Sequence, residues 1–301
     1  MRRTAIGLQY LLVALALQLT ACQTSLPRGP MATELGDEAI VLPTRISRGL
    51  WLLRASLPNL PGRHWLLLDS GTDRMLLDLR IAHRIGLKSQ NNDTVRTATG
   101  GAMASWRLDR LPWLQAGGAR FRDIEVAGID LGPLRETGGL PIIGIVGCDL
   151  FRQSLLEIDY RGRRARVLPR DRAPRTEAFR FTERLPHVTV DAAGTSVRAL
   201  VDTGFQHPLA VPPGLPLRWQ TVPYRDGELA TLDGVTAKST ARLAGSLRIG
   251  DLTMQQPRVV IAPGAPKVGA ALLRRTRLLI DASGGRLWIG ATAAPAEASA
   301  Q

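Results

Sequence analysis

One short pattern occurs twice in this chain, and it limits the possible folds more than any other feature. In the first copy the apolar run Trp65-Leu66-Leu67-Leu68 enters the turn Asp69-Ser70-Gly71-Thr72 and leaves through Met75-Leu76-Leu77. In the second, Arg198-Ala199-Leu200-Val201 enters Asp202-Thr203-Gly204-Phe205 and leaves through Leu209-Ala210-Val211-Pro212. Short apolar runs broken by glycine-containing turns predict buried strands joined by tight loops. After the first copy, Ile81 to Leu87 carries apolar residues at helical spacing, with Gly86 suited to a helix C-terminus.

Both copies also close alike. Gly144-Ile145-Val146-Gly147-Cys148-Asp149-Leu150-Phe151 leads to Leu156-Glu157-Ile158-Asp159, Arg161-Gly162 and Ala165-Arg166-Val167-Leu168. Lys267-Val268-Gly269-Ala270-Ala271-Leu272-Leu273 leads to Leu278-Leu279-Ile280-Asp281, Gly284-Gly285 and Leu287-Trp288-Ile289. From Asp69 to Asp159 is 90 residues and from Asp202 to Asp281 is 79, so the units differ by a loop rather than by architecture. With 30 glycines and 20 prolines among 301 residues, turns are plentiful, and 45% hydrophobic residues are enough for a packed core. A disordered chain is excluded.

The strand-turn elements Leu67-Leu68-Asp69-Ser70-Gly71-Thr72 and Leu200-Val201-Asp202-Thr203-Gly204-Phe205, with Ile145-Val146-Gly147 later in the first unit, resemble the retropepsin-like members of the pepsin clan of aspartic proteases. In that clan a hydrophobic strand delivers Asp-Thr-Gly or Asp-Ser-Gly into a tight loop, and a hydrophobic-hydrophobic-Gly segment packs beside it. The resemblance covers residues 40 to 290. One such triplet alone is a common turn. Two, each after an apolar strand and each followed by the same elements, are specific. The resemblance implies a mostly β protein, with two tandem pepsin/retropepsin-like β-barrel lobes forming one bilobal unit around a central cleft. Lobe one is expected over 39–170, an arginine-rich linker over 171–180 and lobe two over 181–290. It also implies an aspartic endopeptidase that is a monomer, its lobes pairing within one chain.

The residue types suit that chemistry. Two carboxylates a few ångströms apart cannot both ionise cheaply, so Asp69 and Asp202 would share a proton around a water, one serving as base and the other as acid. No metal, cofactor or covalent intermediate is required. Ser70 and Thr203 are expected to cross-brace the loops, and Gly71 and Gly204 to let the backbone pass close to the carboxylates. Thr72 places a hydroxyl after the first glycine, where lobe two has Phe205. A hydroxyl donating to a carboxylate favours its charged form, so Asp69 is expected to be the ionised base. Lys267 departs from the pattern too: it stands where an apolar residue would precede Val268-Gly269, which brings a cation to the site or signals a register one residue off. Gly100-Gly101 and Asp233-Gly234 have the turn chemistry of hairpins that would overhang the cleft.

The N-terminus predicts export. Arg2 and Arg3 precede an apolar run from Ala5 to Leu19, too short for a comfortable membrane span, and the run ends in Leu19-Thr20-Ala21-Cys22. That tetrapeptide resembles the lipobox of bacterial lipoproteins. The resemblance implies removal of a signal peptide at 1–21, lipid on Cys22, a tether over 22–38 and, with Gln23 next, an outer-membrane site facing the periplasm. The other cysteine, Cys148, lies among apolar residues and is expected to be a buried, inert thiol. His64, His83, His187 and His207 show no ligand spacing. A net charge of +13 would attract anionic partners, but no nucleic-acid-binding module or aromatic platform accompanies it. Residues 291–301 are expected to be a flexible tail. A protein or peptide substrate is the expected partner. An inactive relative that binds peptides or cell-wall material and a purely structural lipoprotein are the rival readings.

Overall fold

A computed structural model describes residues 29–290 apart from 97–100, 138, 183 and 233. The strands that deliver the two Asp turns, Leu60–Leu68 and Thr195–Val201, each lie beside a parallel neighbour from the end of the same lobe. Leu140–Val146 sets Val146 against Leu68, and Lys267–Val268 sets Val268 against Val201. Central strands covered on both faces need apolar side chains throughout, which is why Leu66, Leu67 and Leu68 are all buried. A second parallel pairing recurs in each lobe, Val126–Ile129 beside Met75–Asp78 and Arg258–Ile261 beside Leu209–Val211. Lobe two is a nine-stranded sheet; the twelve-stranded sheet of lobe one repeats its succession with Pro30–Glu34, Thr44–Ser47 and Glu136–Thr137 added. The chain is thus mostly β, in two tandem lobes of one plan.

The expected helix is Leu79–Arg84. The Asp78 carboxylate caps it by accepting from the Arg80 N–H at 3.0 Å, and Gly86 follows at φ +89°, in the left-handed region where glycine is favoured.

Two boundaries differ from expectation. Pro30–Glu34, inside the presumed tether, pairs antiparallel with Ala119–Ile124 from Pro30 opposite Ile124 to Glu34 opposite Arg120. An edge strand is held by its main chain, so it needs no apolar period. Within the presumed linker, Phe179–Arg180 pairs with Leu287 and Arg286.

That last pairing belongs to a third sheet, six strands drawn from both halves of the chain. The closing strands Leu155–Asp159 and Arg277–Asp281 do not end separate barrels. They pair antiparallel with each other, Leu156 opposite Ile280 and Ile158 opposite Leu278. Ile158, Val167, Leu278, Ile280 and Leu287 are buried in one apolar cluster that continues into both lobes, so the lobes share a core. Among the described residues, no helix is long and apolar enough to cross a membrane.

Candidate active site

The two Asp turns meet across the lobe boundary. Asp69 N–H donates to Val146 O at 3.0 Å and Asp202 N–H donates to Val268 O at 2.9 Å, so each carboxylate-bearing residue is pinned to the end of its lobe's last strand. Phe205 N–H closes its turn on Asp202 O (3.2 Å), and Thr72 N–H lies near Asp69 O (3.4 Å). A Cβ on Gly147 would stand 2.6 Å from both Thr72 O and Arg74 O, and one on Gly269 would collide with Phe205 O. The hydrophobic-hydrophobic-Gly pattern therefore has a steric cause in both lobes: the Asp loop's main chain passes over that glycine.

Four hydrogen bonds lock one loop to the other. Ser70 Oγ donates to Val201 O at 2.6 Å and accepts from Thr203 N–H at 3.0 Å. Thr203 Oγ1 donates to Leu68 O at 3.0 Å and accepts from Ser70 N–H at 2.9 Å. Both side chains are buried, and every group in the brace finds its partner in the opposite lobe. The arrangement brings each carboxylate beside the other loop's glycine. A Cβ on Gly71 would lie 2.7 Å from Cγ of Asp202, and one on Gly204 would lie 2.7 Å from Cγ of Asp69. Only glycine fits at either place.

The two carboxylates have different surroundings. Burial, then the charge of Asp202, hold the Asp69 carboxyl well above the usual range, against the opposing pull of the Gly71 N–H that donates to its Oδ1 at 2.7 Å. On the other side, Lys267 Nζ stands 3.7 Å from Asp202 Oδ2, both side chains being buried. Lys267 lies opposite Leu200 and Ala210, just as Ile145 lies opposite Leu67 and Leu76. The register has not slipped; a cation occupies the place of an isoleucine. The two carboxylates therefore have different neighbours from those expected. The donor to Asp69 is the Gly71 N–H rather than the Thr72 hydroxyl, and the positive charge sits at Asp202.

The other singled-out residues fall around this centre. Gly101 begins the approach to Ala102–Leu108, which pairs with Ser89–Arg96; Gly100 lies outside the described residues. Gly234 opens Gly234–Arg242 opposite Thr231, and Asp233 lies outside the described residues. Leu232, on lobe two's hairpin, packs on an apolar cluster of lobe one that contains Leu50, Val95 and Ile129. Cys22 is also outside the described residues. Cys148 is buried behind the first loop, its thiol directed at Ser70 O (3.5 Å) and its pKa pushed well up by burial.

Asp149, next in the chain, carries a separate consequence for stability. Its carboxyl is 4% exposed and is pushed up to about 8, by burial first and by Asp73 and Glu125 in addition. Between the unfolded value near 3.8 and about 8 the folded protein holds a proton that the unfolded chain has released, so this group makes stability fall as pH rises through that window. Asp149→Asn is expected to match the wild type near pH 4 and to melt higher above pH 7, as read by thermal unfolding at both values. An equal difference at the two pH values would exclude this account.

A family model described as aspartyl protease matches the chain twice, over residues 61–150 and 188–276, which together make up more than half its length. No curated protein matches the chain. Each matched segment holds one Asp turn and the glycine strand that pins it, and the two segments meet at the braced pair of carboxylates. The chain is therefore a two-lobed member of the aspartyl protease family.

Proposed function

We propose that the protein is a membrane-tethered aspartic endopeptidase that hydrolyses peptide bonds with a water activated between Asp69 and Asp202. The observation that carries this reading is the reciprocal approach of the two carboxylates, each beside the other loop's glycine and held by the Ser70–Thr203 brace. In the proposed reaction Asp202 is ionised and takes a proton from the attacking water, while Asp69 is protonated and donates to the developing oxyanion. Neither role needs a metal or a covalent intermediate. A pair with one charged and one protonated member supplies base and acid at once. The two hairpins, Ser89–Arg96 with Ala102–Leu108 and Tyr224–Thr231 with Gly234–Arg242, would cover an extended peptide in the cleft. The test is cleavage of a denatured protein across mildly acidic to neutral pH, with block by a statine-type peptide as the expected companion result. A second reading, a relative that grips peptides or cell-wall material without cutting them, is favoured by the Lys267 charge beside Asp202. Tight statine binding without cleavage would select it.

The tether belongs to the same proposal and rests on Leu19-Thr20-Ala21-Cys22. With lipid on Cys22 the catalytic unit would face the periplasm from the outer membrane. One acyl chain holds a protein only marginally, whereas several anchor it stably. Cys22→Ser is expected to release the protein from the membrane fraction or to stall its processing. Wild-type protein found wholly soluble after cell fractionation would overturn the tether and leave the protease reading standing.

A further inference from the structure

The two departures of lobe two from lobe one occupy adjoining space. Lys267 stands at the position of Ile145, and Phe205 stands at the position of Thr72. The Lys267 ammonium lies 5.5 Å from the centre of the Phe205 ring and 3.7 Å from Asp202 Oδ2. Phe205 is itself buried, in a small apolar cluster with Ala210, Val260 and Ala262. A lysine taken out of water costs several kcal/mol unless anion and ring replace its hydration. Here both are present. In lobe one the corresponding position is apolar and buried with Leu67 and Leu76, so the fold does not require a charge there.

We propose that Lys267, seated on Phe205, is a positioning residue that fixes Asp202 as the ionised member of the pair and moves the pH window of the site toward acid. The proposal rests on the shared-dyad reading above. A cation within about 4–6 Å of a carboxylate favours its charged form by one to three pH units. It therefore lowers both proton releases of the coupled pair, and the second release, which would leave two charged carboxylates and end activity, comes at lower pH. The other titratable groups around the pair leave this bias in place. Tyr160 and Cys148 are both held neutral by burial. His207, whose ring centre is 5.4 Å from that of Phe205, is pushed toward its neutral form by burial, with Lys238 adding and Asp226 opposing. Lys238 and Arg258, on lobe two's hairpin side, pair with Asp226.

The experiment compares wild type, Lys267→Met and Lys267→Arg in the full chain carrying 13C-labelled aspartate. Lys267→Met keeps the volume without the charge, and lobe one's isoleucine indicates that an apolar residue can be packed there. The lower titration of the Asp69–Asp202 pair, which the proposal gives to Asp202, is expected to rise by about one unit or more in Lys267→Met and to stay near wild type in Lys267→Arg. If cleavage is observed, the acid limb of the kcat/KM pH profile should rise with that titration and the basic limb should rise by less, because Lys267 is the smaller influence on Asp69. A shift below about a third of a unit, or a downward one, would overturn the proposal. The carboxyl titration needs no turnover. Failure of the wild type to cleave would count against the protease reading alone, while an unmoved titration in an active enzyme would count against Lys267 alone.

Discussion

Asp69→Asn and Asp202→Asn should each reduce cleavage of an unfolded protein substrate by at least about a hundredfold, the lower end of what loss of a general acid or base removes. The reaction as proposed uses one charged and one protonated carboxyl together, and an amide can be neither. The two variants should differ in stability. Asp69 already sits in surroundings that favour its neutral form, and an asparagine oxygen can still accept from the Gly71 N–H, so Asp69→Asn should melt close to wild type. Asp202→Asn takes the carboxylate away from the buried Lys267 ammonium, and breaking a buried ion pair by removing one partner costs about 3–5 kcal/mol. Turnover against a peptide substrate and thermal unfolding, measured on the same samples, check both halves. Either variant keeping more than a few hundredths of wild-type turnover would sink the shared-dyad mechanism.

Thr203→Val should destabilise the protein by about 2–6 kcal/mol, because it leaves two buried groups unpaired at about 1–3 kcal/mol each. Those groups are Leu68 O and Ser70 N–H, and Thr203 Oγ1 serves both. Valine has nearly the shape of threonine, so no cavity confuses the result. Thr203→Ser keeps the oxygen, loses a methyl group and should stay within about 1.5 kcal/mol of wild type. Denaturant unfolding of the pair decides between brace and packing, since a packing role predicts the opposite order. Activity should fall with Thr203→Val too, because the brace sets the approach of Asp69 to Gly204 and of Asp202 to Gly71.

Much of this site can be read before any coordinates, for a local reason. The apolar run, the Asp-(Ser/Thr)-Gly turn and the later glycine are short patterns whose residue types are dictated by immediate neighbours, such as the main-chain oxygens against Gly147 and Gly269. The six-stranded sheet is different. The apolar character of Leu155–Asp159 says that something covers it, but nothing in those residues names Arg277–Asp281 as the partner. Lys267 is visible as a charge in an apolar place, yet only its pairing with Leu200 and Ala210 tells a slipped register from a true substitution. The Thr72 expectation considered side-chain hydroxyls alone, whereas the donor at Asp69 Oδ1 is a main-chain group, the Gly71 N–H, which residue types do not reveal.

The sheet that joins the lobes has a consequence for asymmetry. Where a site is made by two identical chains, every residue near it is encoded once and appears twice, so a lysine beside one carboxylate implies a lysine beside the other. Here both halves lie on one chain and meet through Leu155–Asp159 and Arg277–Asp281, so their mutual concentration does not fall on dilution. Each half can then change alone. Lobe one keeps Thr72 and Ile145 where lobe two carries Phe205 and Lys267, a division of labour that no pair of identical subunits could encode.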